Sequence, residues 1–161
     1  MDIERAEKIA TELVNQWLPG WTFSFNRRRT SLGVCSHTLK TIYLSKPITI
    51  LNDEDSVLDT IKHEIAHGLV GPGHGHDCVW KAKARELGCS AERCGKIEDD
   101  SQEAKKVMGV KYQMILSTTG EVIQDYYRKP AEKTIQTISQ RYITGRKAET
   151  FGKLIIIPYK G

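Results

Sequence analysis

The chain has 161 residues, 27% of them charged and 39% hydrophobic, with a formal net charge of +4. That length can bury a core for one compact domain with an appendage. No run approaches the ~20 consecutive apolar residues that a membrane-crossing helix requires. The first residues, Met1-Asp2-Ile3-Glu4-Arg5, lack the charged-then-apolar order of a secretory signal. We therefore expect a cytoplasmic or nucleoid- or nuclear-associated protein, not a secreted one, and no membrane partner.

In chain order, Ile3, Ala6, Ile9, Ala10, Leu13, Val14 and Trp17 recur at helical spacing and predict an amphipathic first helix packed on a core. A basic run, Arg27-Arg28-Arg29, follows. Next comes Asn52-Asp53-Glu54-Asp55, a capping residue with acids suited to a helix N-terminus. It opens a helix whose apolar side carries Val57, Leu58, Ile61, Ile65 and Leu69, with Gly68, Gly71, Pro72 and Gly73 ending it.

Near the opposite side lie His63 and His67 of the signature His63-Glu64-Ile65-Ala66-His67, with Glu64 off to one edge. Residues four apart share a helical face, so His63 and His67 can direct imidazole nitrogens at one metal ion. Glu64 sits beside the position of a water that zinc would activate, which suits it as the general base of a hydrolase. The third ligand is open on spacing alone. The residue six after His67 is Gly73, and the residue three after it is Val70, so a metzincin pattern fails. Glu86 or Glu92 would serve a gluzincin arrangement. The turn Gly73-His74-Gly75-His76 offers a histidine directly, and three histidines on one zinc is the simplest outcome.

Four cysteines, Cys35, Cys78, Cys89 and Cys94, include no second pair to complete a four-ligand zinc knuckle, so we expect buried or loop thiols. Beyond residue 100, Tyr112-Gln113-Met114-Ile115-Leu116 and Glu121-Val122-Ile123-Gln124-Asp125-Tyr126-Tyr127 alternate as strands about a turn at 117–120. A third strand runs from Lys153 and is halted by Pro158, and residues 133–142 fit either a strand or a short helix. Charge divides unevenly: the balance is −2 over residues 1–100 and +6 over 101–161. The latter segment suits a nucleic-acid backbone through Arg128, Lys129, Arg141 and Arg146, with Tyr126, Tyr127 and Tyr142 available to stack on bases. Arg27, Arg28 and Arg29 would add to it. A solvated basic surface is the plainer reading of the same charges.

The 63–67 signature, the short loop, and a histidine followed four residues later by an aromatic (His76 and Trp80) together resemble the SprT-like metallopeptidases, whose members include the Spartan protease. Residues 29–35 and 41–45 look like the β-hairpin preceding the active helix in that family. The resemblance covers residues 17–94 and implies His76, in preference to His74, as the third ligand. His76-Asp77-Cys78 departs from the family's usual histidine-glycine-proline.

The resemblance implies an α+β fold divided in two. Residues 1–100 would form a zincin-like domain with an N-terminal helix, a small antiparallel sheet and the active-site helix. Residues 101–161 would form a β module resembling a zinc ribbon without its cysteines. It further implies a zinc-dependent endopeptidase with one zinc per chain, acting on DNA-associated proteins. The residues themselves do not single out a group that steadies the oxyanion beyond zinc; Tyr43 and His74 are the two candidates. Two other readings compete: a nucleic-acid-binding protein with a structural zinc site, and a zinc hydrolase of non-protein substrates.

Overall fold

The computed structural model describes residues 1–90 and 101–160 and falls into two compact units, Met1–Asp100 and Ser101–Gly161. Among the described residues no helix is long and apolar enough to cross a membrane.

In the first unit, α1 (Ile3–Trp17) starts where the Asp2 side chain accepts the Arg5 N–H. Ala6, Ala10 and Val14 are buried along one stripe, with Ile9, Leu13 and Trp17 packed at its edges. Three strands follow: β1 (Thr22–Asn26), β2 (Gly33–Ser36) and β3 (Thr41–Ser45). β2 and β3 form the expected antiparallel hairpin, but the sheet order is β1-β3-β2, with β1 and β3 parallel. The sheet is therefore mixed where an antiparallel one was expected. The cause is that β3 inserts between the two earlier strands, and Ile42 and Leu44 on it are fully buried. This leaves β2 as an edge strand.

A short helix not foreseen from the sequence, α2 (Lys46–Leu51), is capped by Ser45, with Pro47 in its first turn. The long helix α3 (Glu54–Val70) is capped by Asp53, whose side chain accepts the Ser56 N–H at 2.7 Å. Its fully buried apolar row is Val57, Ile61, Ile65 and Ala66, whereas Leu69 is exposed. His63 and Glu64 are buried too, so the helix is covered on both sides. Gly68 does not end α3. A Cβ there would lie 2.6 Å from Leu18 Cδ1, so this glycine is the notch that lets the end of α1 approach. The helix stops at Gly71, which takes φ 84°. The next helix, α4 (Cys78–Glu86), buries Trp80 and Ala84 against the same core.

The second unit contains α5 (Gln102–Met108), β4 (Tyr112–Leu116), β5 (Val122–Tyr126), α6 (Glu132–Thr137), a 3-10 turn (Ile138–Gln140), α7 (Lys147–Thr150) and β6 (Leu154–Pro158). Its sheet is antiparallel in the order β5-β4-β6. Residues 133–142 are thus helical at their start, and Pro158 is the last residue of β6, paired with Tyr112. Leu116, Ile138 and Leu154 form a small core, with Met114, Ile123, Ile143 and Ile156 around it. The whole fold is α+β with one mixed and one antiparallel sheet.

Candidate metal centre and cleft

Helical spacing places His63 and His67 one turn apart on α3. The chain then leaves through Gly71 and Gly73 (φ 84° and 101°), conformations that a side chain disfavours, and returns His76 to the same point. The Nε2 atom of His76 lies 3.0 Å from that of His63 and 3.3 Å from that of His67. Four ligands at about 2.0–2.1 Å around a tetrahedral zinc would stand about 3.3–3.4 Å apart. The three imidazoles thus suit three corners of such a tetrahedron, and no fourth histidine, cysteine or carboxylate joins them among the described residues. Burial is the main cause holding the His67 pKa below its ordinary value, with the neighbouring His76 adding to it, and this favours the neutral ring that metals bind.

Trp80 is the floor of this cluster. Its indole lies 4.5 Å from the rings of His63 and His76, and stacks at 28° on that of His67. The loop is pinned by Asp77, whose Oδ1 accepts the Trp80 N–H while Oδ2 pairs with His74 Nδ1 at 2.7 Å. Asp77 thus also caps the N-terminus of α4.

A cleft of about 410 Å³ opens beside the cluster, its walls including Arg28, Gly33, Cys35, His37, Glu64 and His67. Glu64 is only 7% exposed. Its room comes from Gly33 on β2, where a Cβ would lie 2.6 Å from Glu64 Cγ and 2.7 Å from Oε1. Burial pushes the Glu64 carboxyl up to about 7, against a hydrogen bond from the Cys35 backbone that lowers it.

A folded pKa above the unfolded one means that stability is fully present at low pH and is lost as pH rises through about 7. In metal-free protein, Glu64→Gln should match wild type at pH 4 and exceed it at pH 8 by at most about 3 kcal/mol. Urea titrations at the two pH values check this, and a difference independent of pH would refute it.

Of the other residues singled out, Glu86 is exposed and ion-paired with Lys83 at 2.6 Å, outside the histidine cluster. Glu92 and Cys94 lie outside the described residues. Cys35 is half-buried, Cys78 exposed and Cys89 buried, and no disulfide joins them. Neither Tyr43 nor His74 lines the cleft. Arg27 and Arg28 are exposed, Arg28 in the cleft wall, and Arg29 is half-buried. In the second unit Arg128 and Arg141 are exposed. Lys129 stands 3.8 Å from Glu132, and Arg146 is held by Glu121 and Glu149 at 2.7 and 3.1 Å. His37 escaped the sequence reading because it has no spacing relation to the 63–67 signature.

Two ligands one helical turn apart, a third from the returning loop, and a buried carboxylate at an open cleft define a candidate mononuclear metallohydrolase site. Residues 4–103 match the model of the SprT-like family, and the chain belongs to that metallopeptidase family. Among solved structures, the metallopeptidase zymogen abylysin of Pyrococcus abyssi is similar at 15% identity and a TM-score of 0.42, over 66% of this chain and 88% of that one. No curated protein matches.

Proposed function

We propose that this chain is a zinc-dependent endopeptidase, with one zinc held by His63, His67 and His76, and with proteins associated with DNA as its substrates. The observation that carries the reading is the convergence of three Nε2 atoms beside an open cleft in which Glu64 is buried. A structural zinc site would be closed by a fourth protein ligand, and none joins this cluster among the described residues. Zinc bound there would supply a Lewis acid that polarises the scissile carbonyl and acidifies a water.

The chain's own residues do the rest. Trp80 and the Asp77-pinned loop hold the three imidazoles in place. Glu64 takes a proton from the attacking water onto its carboxylate and returns it to the departing amine. Its position on the cleft wall, set by the bare Cα of Gly33, keeps that carboxylate next to the substrate.

The DNA part of the reading rests on the +6 balance of residues 101–161 and on the exposed Arg128, Arg141 and Tyr142. Arg146 contributes less, since two carboxylates already engage it. We read this module as the counterpart of the family's ribbon, held by its apolar core in place of metal. The test is cleavage of a DNA-bound protein, with and without DNA and with and without chelator, beside small ester and amide substrates. We expect peptide-bond cleavage that chelator abolishes and DNA accelerates. Cleavage confined to the small substrates would refute the peptidase reading, and no effect of DNA would refute the nucleic-acid part alone.

A further inference from the structure

We infer that His37 is a further catalytic residue, donating a hydrogen bond to the scissile carbonyl oxygen as that oxygen gains negative charge. The inference rests on the peptidase reading above. Tyr43 and His74, the two candidates named from the sequence, are poorly suited to this role. Tyr43 sits on β3 between its two neighbouring strands, and the His74 ring is already tied to Asp77. His37 instead follows β2 and lines the cleft together with Glu64 and His67.

The His37 ring is half-buried between two neighbours. Trp21 meets it edge-on, with centroids 5.6 Å apart and planes at 87°. Cys35 Sγ lies 3.8 Å from its Nε2. Burial, reinforced by Glu64, pushes the Cys35 thiol up to about 12, so the sulfur keeps its proton at neutral pH. In the tautomer where the S–H donates to Nε2, the ring proton is on Nδ1, and we assign that N–H as the donor for substrate. A donor oriented in advance in a partly desolvated cleft stabilises developing charge far better than water, which must reorganise to do so. The labour then divides across the cleft: Glu64 on α3 moves the proton of the water, and His37 at the end of β2 steadies the oxygen.

The experiment compares the zinc-loaded full chain with its His37→Ala and His37→Gln variants. It reads zinc per chain, thermal midpoint, kcat and KM on one peptide, and affinity for a phosphinic analogue of that peptide, whose anionic tetrahedral group imitates the reacting carbon. Ground-state affinity for the same peptide is read separately in the Glu64→Gln background, with and without His37→Ala. We expect His37→Ala to keep its zinc and thermal midpoint and to lose about 10²–10³-fold in kcat. Phosphinate affinity should fall by a comparable factor, with peptide affinity changed less than about twofold, because only binding that strengthens in the transition state accelerates the step. His37→Gln, which retains an N–H donor, should recover part of the loss. Unchanged kcat, loss of zinc, or equal losses for peptide and phosphinate would each overturn the assignment. A wild-type chain that cleaves no peptide and binds no phosphinate would overturn the peptidase reading, and this inference with it.

Discussion

Glu64→Gln should lower peptide turnover by about 10²–10⁴-fold, the range for loss of a general acid–base group, while zinc content stays at one ion per chain. The substitution keeps the shape of the side chain, so the slot beside Gly33 remains filled and the metal ligands are not disturbed. It removes the one carboxylate among the described cleft-lining residues, and with it the group to which we assign the proton of the water. Glutamine cannot accept and return that proton. The loss should fall on kcat, because the substrate backbone is bound by the cleft as before. Steady-state kinetics with elemental analysis on the same samples check the claim. Wild-type turnover in the variant would show that Glu64 is not the base.

His76→Ala should weaken zinc binding by at least about 100-fold, more than the 10–100-fold typical of losing an outer-shell partner, and abolish chelator-sensitive cleavage. His74→Ala should retain the metal. The contrast follows from where the two rings point. His76 Nε2 is within 3.3 Å of both helix-borne Nε2 atoms, whereas His74 Nδ1 is bound to Asp77. His63 and His67 alone cannot enclose the ion, since two imidazoles leave half its coordination sphere to water. Because His74 and Asp77 steady the loop, His74→Ala should cost a modest part of the affinity. Competition against a calibrated chelator separates the two variants, and zinc lost from His74→Ala but kept by His76→Ala would reverse the assignment.

The parts of this molecule that were legible in advance are those governed by local periodicity. The stripe from Ile3 to Trp17 is buried or half-buried as helical spacing requires. The capping Asp53 opens α3 where the run of acids placed it, and the alternation in 112–116 and 122–126 became paired strands. In each case the information lies within a few residues of chain, because a helical turn or a strand pair has a fixed repeat. The family signature likewise rests on i,i+4 geometry that a helix enforces wherever it forms.

What lay beyond reach depends on partners distant in the chain. The insertion of β3 between β1 and β2 is a choice of neighbour, and no spacing within 22–45 encodes it. That choice leaves β2 at the sheet edge, brings Gly33 against Glu64 and sets His37 in the cleft. Gly68 read as a helix terminator because glycine ends helices. Its actual role, admitting Leu18, exists only once α1 and α3 pack. Arg146 read as a phosphate contact because a lone arginine is a free charge on paper. The fold supplies Glu121, 25 residues away, as a bidentate partner. By itself the sequence determined α1, α3 and the strand pair at 112–116 and 122–126, and it placed His63 and His67 one helical turn apart with Glu64 beside them, since these follow from periodic geometry. Only the tertiary structure decided which surfaces meet across the cleft, because burial and desolvation depend on elements far apart in the chain that become neighbours when it folds.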